Sequence, residues 1–166
     1  MTPAPNSTAD PVAALRARAE GTNVISQTLL ATDYLNHFNE IVMLLELIPD
    51  MPEMIEEAKA WRPKSYKEHF AASTVADREL AIEACDFVPA QYREPFERTV
   101  AQLNDLVALT IGRLEAAIAQ GDPEAVRETA TTMSRTIQRV LSIADGIIHG
   151  SEKTMAQEEI DALIGA

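Results

Sequence analysis

A single cysteine, Cys85, among 166 residues leaves no partner for an internal disulfide. Uninterrupted apolar runs end after about five residues, as in 41–45, against the roughly 20 that a bilayer-spanning helix needs. Basic residues are scarce: 14 Lys and Arg stand against 26 Asp and Glu, and the formal charge of -12 repels nucleic acid and anionic membrane surfaces alike. A partner is therefore expected to be a protein with a basic or neutral docking face. Residues 1–9 lack the basic and apolar regions of a secretory leader, and their Pro, Ser, Thr and Ala content predicts a disordered tail. The expected location is therefore the cytoplasm. No segment reads as a strand with its own turn, and there is no internal repeat, so the length suits one helical domain with a modest core.

The residues present spell out helices. Asp10-Pro11 reads as an N-cap and first helical residue, with Gly21 as the stop. Thr22 can cap a long helix over 22–48, roughly 40 Å at 1.5 Å per residue. Asp50 with Glu53 resembles a capping box for a helix over 51–61, which Arg62-Pro63 ends. A short segment at 65–70 and a helix over 73–87 follow, with Pro89 and Pro95 before the next. The sharpest local signal is Gln120-Gly121-Asp122-Pro123-Glu124: a left-handed C-cap, an N-cap and a first-turn proline in succession. Helices over 95–120 and 123–149 should lie antiparallel. Their apolar positions, Val100, Leu103, Val107 and Leu114 on one and Val126, Met133, Ile137, Val140 and Ile147 on the other, repeat near the helical period. The expected fold is all-α, a four-helix-type bundle over 10–149 with short accessory helices, then a hinge at 150–154 and a terminal helix at 155–166.

Within the expected long helix, Leu30, Tyr34, Phe38, Ile41 and Leu45 make a core face, while Asp33, Asn36 and Glu40 gather on the opposite side with Leu29 and Leu47. A polar patch bracketed by apolar residues has the character of an interface. Asp33 and Asn36 are i, i+3 neighbours and Asn36 and Glu40 are i, i+4 neighbours, so either acid and amide pair can address one substrate atom. His37 borders this patch and is expected at a surface or interface. The three histidines show no metal-ligand spacing. Trp61, Tyr66 and Phe70 read as core anchors around Pro63, and Cys85 as a small buried residue.

Residues 155–166 (MAQEEIDALIGA) form a short amphipathic helix with Ile160, Leu163 and Ile164 on one side and Gln157, Glu158 and Asp161 polar. A helix so short is marginal alone, which makes it either a docking peptide or a last helix packed on its own domain. The run AQEEIDALI resembles the segment S-Q-x-E-I-D-A-L-L with which the flagellar switch protein FliM captures the phosphorylated chemotaxis regulator CheY. A looser form ends the chemotaxis phosphatase CheZ, whose C-terminal placement this chain shares. The resemblance implies that Gln157, Glu158, Glu159, Ile160, Asp161, Ala162, Leu163 and Ile164 contact a CheY-type response regulator. Ala156 stands where the family has Ser, so Thr154 must cap the helix or it begins frayed.

The same resemblance gives the acid and amide patch a role. CheZ uses an acid and an amide four residues apart, and another family of CheY phosphatases an acid followed by an amide three residues on; Asp33-x-x-Asn36 resembles the latter. The expected activity is dephosphorylation of phosphorylated CheY, with no cofactor of its own and Mg supplied by the regulator. The alternatives are a non-catalytic adaptor using the same tail, with the Asp33 to Glu40 face against another protein or a second copy, or a histidine-phosphotransfer-like protein acting through His37.

Overall fold

The computed structural model describes residues 10–165, so the tail expected to be disordered, 1–9, lies outside the described residues. Helix α1 (Pro11–Ala19) begins as anticipated: the Asp10 carboxylate accepts the Val12 N–H at 3.1 Å, Pro11 occupies the first turn, and Gly21 turns the chain at φ 76°. The long helix expected over 22–48 does not form. The chain instead makes a loop closed by an isolated antiparallel bridge between Val24 and Ala31, then a 3₁₀ turn (Thr32–Leu35), and only then helix α2 (Asn36–Leu47). The reason is a set of partners elsewhere in the fold for the backbone and side-chain polar groups of this segment. Arg16 donates to the Ser26 and Gln27 carbonyls, each at 3.1 Å, the Ala31 N–H donates to the Tyr66 hydroxyl at 2.8 Å, and the Thr28 hydroxyl donates to the Ile148 carbonyl. Leu29, expected on an outward face, is fully buried at φ 63°, a left-handed conformation in which a leucine is strained and which a helix cannot contain.

Asp50 does not cap the next helix. Its carboxylate pairs with Arg127 at 2.7 Å, and a 3₁₀ turn (Pro52–Met54) leads into helix α3 (Ile55–Ala60), which stops at Trp61 before Arg62-Pro63. Helix α4 (Tyr66–Ala71) starts at a full capping box, with the Ser65 hydroxyl accepting the Glu68 N–H at 3.1 Å and the Glu68 carboxylate accepting the Ser65 N–H at 3.2 Å. Helix α5 (Arg78–Cys85) is shorter than the segment 73–87 expected for it.

Helix α6 (Ala90–Ala119) starts five residues before Pro95, not after it. Pro95 is tolerated near the N-terminal end, where the carbonyl of exposed Gln91 that it leaves without a helical donor faces water. Gly121 (φ 69°) and Asp122 close α6, their N–H groups bonding to the Ile118 and Ala117 carbonyls. Asp122 then caps helix α7 (Pro123–Ile148) by accepting the Ala125 N–H at 3.1 Å. α7 ends in the same way, with Gly150 (φ 108°) donating to Ile147 and Ser151 to Gly146, each at 2.9 Å. Residues 151–156 are irregular and lead into helix α8 (Gln157–Ile164).

The antiparallel α6 and α7 form the spine. α2 lies on α7, α3 on α6, α8 on α7, and α4 packs on α5 and on the first 3₁₀ turn. The expected core faces are buried as read from the periodicity: Tyr34, Phe38, Ile41 and Leu45 meet Leu103, Val107, Leu114, Met133, Ile137, Val140 and Ile147, with Val100 half-buried. Among the described residues there is no strand, and no helix is long and apolar enough to cross a membrane.

Candidate functional site

The acid and amide patch sits where the 3₁₀ turn becomes α2. Asp33 is half-buried in the turn, and Asn36, the first residue of α2, is exposed, its backbone N–H donating to the Asp33 and Tyr34 carbonyls. Side chains three apart eclipse in 3₁₀ geometry, so the turn aligns Asp33 and Asn36 more closely than the expected continuous α-helix does. Glu40 is exposed one α-turn on from Asn36. The Asn36 Oδ1 accepts the Asn39 amide at 3.5 Å, and the exposed Asn36 side chain keeps its Nδ2 as a further donor. The same face continues through Met43 and Leu47, 67% and 46% exposed, to Met51 in the following turn. The polar patch therefore has an apolar flank on one side only: Leu47 is there as expected, and Leu29 is inside.

Behind the patch lies an aromatic layer. His37, expected at a surface, is buried: its ring stacks on Trp61 at 4.5 Å between centroids, and its Nε2 accepts the Lys64 N–H at 3.0 Å. That hydrogen bond places the proton on Nδ1, and burial, then His69 and Lys64, push the imidazole pKa down to about 4, so the ring is neutral at ordinary pH. The Trp61 indole donates to the His37 carbonyl at 3.3 Å and the Tyr34 hydroxyl to the Lys64 carbonyl at 2.7 Å, so 61–64 is clamped to the start of α2. Burial, followed by Glu68, raises the Tyr34 phenol to about 12. Trp61, Tyr66 and Phe70 are in this layer, as read from the sequence, and half-buried Cys85 has its thiol pKa raised chiefly by burial.

Sequence reasoning missed His69. It lies far from Asp33 along the chain, yet its half-buried ring stands edge-on to Tyr34 at 5.6 Å and feels the Asp33 backbone and the carboxylates of both Asp33 and Glu40. Burial and Lys64 together outweigh those acids and lower its pKa. The readable signal was Ser65-x-x-Glu68: the capping box starts α4 at a defined residue and so fixes which way His69 faces.

The terminal helix is shorter than the expected 155–166, running over Gln157–Ile164, and has a bare N-terminus. Ala156 is the N-cap residue, no side chain caps the first turn, and Gln157 instead donates to Asp161 at 2.9 Å along the helix. Its apolar stripe is divided. Ile160 and Ile164 are buried against the chain's own spine together with Met155, while Leu163 is 39% exposed beside exposed Gln157, Glu158, Glu159 and Ala162; Asp161 is half-buried. Two hydrogen bonds pin the ends: Gln102 donates to the Met155 carbonyl at 3.0 Å and Arg113 to the Ile164 carbonyl at 2.7 Å. Because Gln102 and Arg113 are successive stations along α6, α8 runs parallel to α6, and Arg113 brings a cation to its C-terminus. Met133, Thr129 and Thr132 of α7 line the same spot beside Ile164.

The two parts meet through α7. Its last carbonyl, at Ile148, accepts the Thr28 hydroxyl, and α7 packs on the Thr32–Leu35 turn that carries Asp33, so the tail is rooted at the end of the molecule that bears the acid and amide patch. No protein-family model, no curated protein and no solved structure matches the chain.

Proposed function

We propose that the chain is a cytoplasmic chemotaxis regulator that binds a phosphorylated CheY-type response regulator through residues 155–166 and promotes its dephosphorylation. The observation that carries the reading is the run Gln157-Glu158-Glu159-Ile160-Asp161-Ala162-Leu163-Ile164, similar to the CheY-binding peptide of FliM and CheZ and helical throughout. In this reading α2, α3, α6 and α7 act as a four-helix-type scaffold. The regulator brings its own Mg and acyl phosphate; Asn36 orients the attacking water and Asp33, or Glu40 through the i, i+4 pair, holds a regulator lysine. Water then attacks phosphorus, the bond to the regulator's aspartate oxygen breaks, and inorganic phosphate leaves with the carboxylate restored. The spacing of Asp33 and Asn36 across the 3₁₀ turn and the exposure of the Asn36 amide support that division of labour.

A second reading, the non-catalytic adaptor, draws support from exposed Met43, Leu47 and Met51, which extend the patch into a surface suited to a protein partner or a second copy. The histidine-phosphotransfer alternative has the least support, because His37 is buried with Nε2 occupied by Lys64. Mixing the protein with phosphorylated CheY and following loss of the phosphoryl group separates the readings. Acceleration supports the phosphatase; binding without acceleration supports the adaptor; absence of binding rejects both.

A further inference from the structure

We infer that α8 is a docking peptide held closed, with the groove between α6 and α7 competing against the response regulator for Ile160 and Ile164. The inference rests on the CheY reading above and adds its regulation. A peptide of the FliM type has to present its aliphatic face to the partner, yet here that face is the buried one. The outer side of α8, with Gln157, Glu158, Ala162 and Leu163, cannot offer Ile160 or Ile164 to anything else while the helix is docked. Binding therefore requires α8 to leave the groove first, and the apparent affinity falls by the fraction of chains in which it has left.

The design of the segment favours release as a unit. α8 has eight residues, lacks a side-chain N-cap, and follows an irregular stretch over 151–156. It is joined to the spine by two side-chain hydrogen bonds, from Gln102 at one end and Arg113 at the other, and by the burial of Met155, Ile160 and Ile164. The α6 and α7 hairpin closes independently, through Gly121 and Asp122 and through its own core residues Leu103, Leu114, Ile137 and Val140. Undocking thus breaks few bonds and leaves the hairpin intact. The two pinning side chains lie outside the peptide, so they can be altered without touching what the regulator reads.

The test uses the full-length chain, Arg113→Ala and Gln102→Ala, with phosphorylated CheY as titrant in calorimetry and amide hydrogen exchange over 157–164 in the free proteins. Each substitution removes one pin, so each should tighten CheY binding by about two- to tenfold and speed exchange in 157–164 by a similar factor, with exchange in α6 and α7 unchanged. A synthetic peptide of residues 155–166 should bind the same regulator, which establishes the underlying reading separately. If the peptide binds but neither substitution tightens the full-length chain, or if 157–164 exchanges only with global unfolding, the closed-helix inference is overturned while CheY binding stands. If neither peptide nor any full-length chain binds, the CheY reading itself fails, and this inference with it.

Discussion

Truncating Ile160 to alanine should destabilise the protein far less than truncating Ile137, although both side chains are fully buried. An Ile→Ala change in a fixed core costs about 2 to 5 kcal/mol, and at this chain length each kcal/mol lowers Tm by about 2 to 4 °C, so Ile137→Ala on the central helix should lose roughly 4 to 20 °C. Ile160 belongs to a terminal helix that can detach. Its gross burial, with Met155 and Ile164, is worth about 1.5 to 3 kcal/mol per side chain, while ordering a residue of helix costs about 1 to 2 kcal/mol in backbone entropy. Over the eight residues of α8 that ordering cost is at least as large as the burial, and the two pinning hydrogen bonds with the helix's own backbone bonds offset the rest, so the net docking free energy is a few kcal/mol at most. Once a substitution exceeds that amount α8 comes off and no further stability is lost, so Ile160→Ala, Ile160→Asp and deletion of 155–166 should converge on one modest Tm, several degrees above that of Ile137→Ala. Thermal unfolding followed by circular dichroism measures all four. If Ile160→Asp unfolds the protein outright, or is much worse than Ile160→Ala, α8 is an integral bundle helix and the reasoning is wrong.

Asn36→Ala should cut the dephosphorylation rate of CheY by roughly a hundredfold with affinity nearly unchanged, because a water-orienting amide acts in the transition state; single-turnover kinetics with a parallel Kd measurement would show weaker affinity with the saturated rate unchanged if the residue only binds. Acidification should unfold the protein through His37: its folded pKa of about 4 lies below its ordinary 6.5, so its contribution is complete above 6.5 and is lost as pH falls toward 4, by up to about 1.4 kcal/mol per pH unit, with His69 adding in the same direction. His37→Phe should flatten that dependence in urea titrations at pH 7, 6 and 5. Asp122→Ala removes the acceptor for the Ala125 N–H and should cost about 1 kcal/mol in the same titrations, a value near zero showing that the hairpin does not depend on its cap.

The sequence was most legible where a few adjacent residues carry all the information. Gly121-Asp122-Pro123 dictates a C-cap, an N-cap and a first turn without reference to the rest of the chain, and the α6 and α7 hairpin formed as read. The segment 22–35 was illegible for the opposite reason. Its apolar residues fit a helical stripe, but Arg16, Tyr66 and the Ile148 carbonyl, all distant in sequence, take its polar groups and hold Leu29 in a conformation no periodicity announces. Asp50 had the spacing of a cap and found a better partner in Arg127. The Asp33, Asn36 and Glu40 patch was visible as a pattern, but the 3₁₀ geometry that aligns its first pair and the arrival of His69 were set by tertiary contacts. An amphipathic octet reads the same whether its stripe meets a partner or its own spine, so the burial of Ile160 and Ile164 could only come from the structure.

Gly150 fixes how far a partner held by the tail can stray. The backbone at Gly150 runs close against the Gln27 amide, itself anchored on the Tyr92 hydroxyl at 2.9 Å, and the Gly150 N–H donates to the Ile147 carbonyl at 2.9 Å, so the tail leaves from a defined point at the end of α7. Only 151–156 is free to swing, and six extended residues span about 20 Å. On the proposed reading, a regulator gripped by the released helix would be confined to a small volume around the end of the protein that carries Asp33 and Asn36, where a short tether sustains an effective concentration on the order of millimolar. Lengthening that stretch with inserted Gly and Ser should dilute the captured partner at the patch while leaving its grip on the helix unchanged.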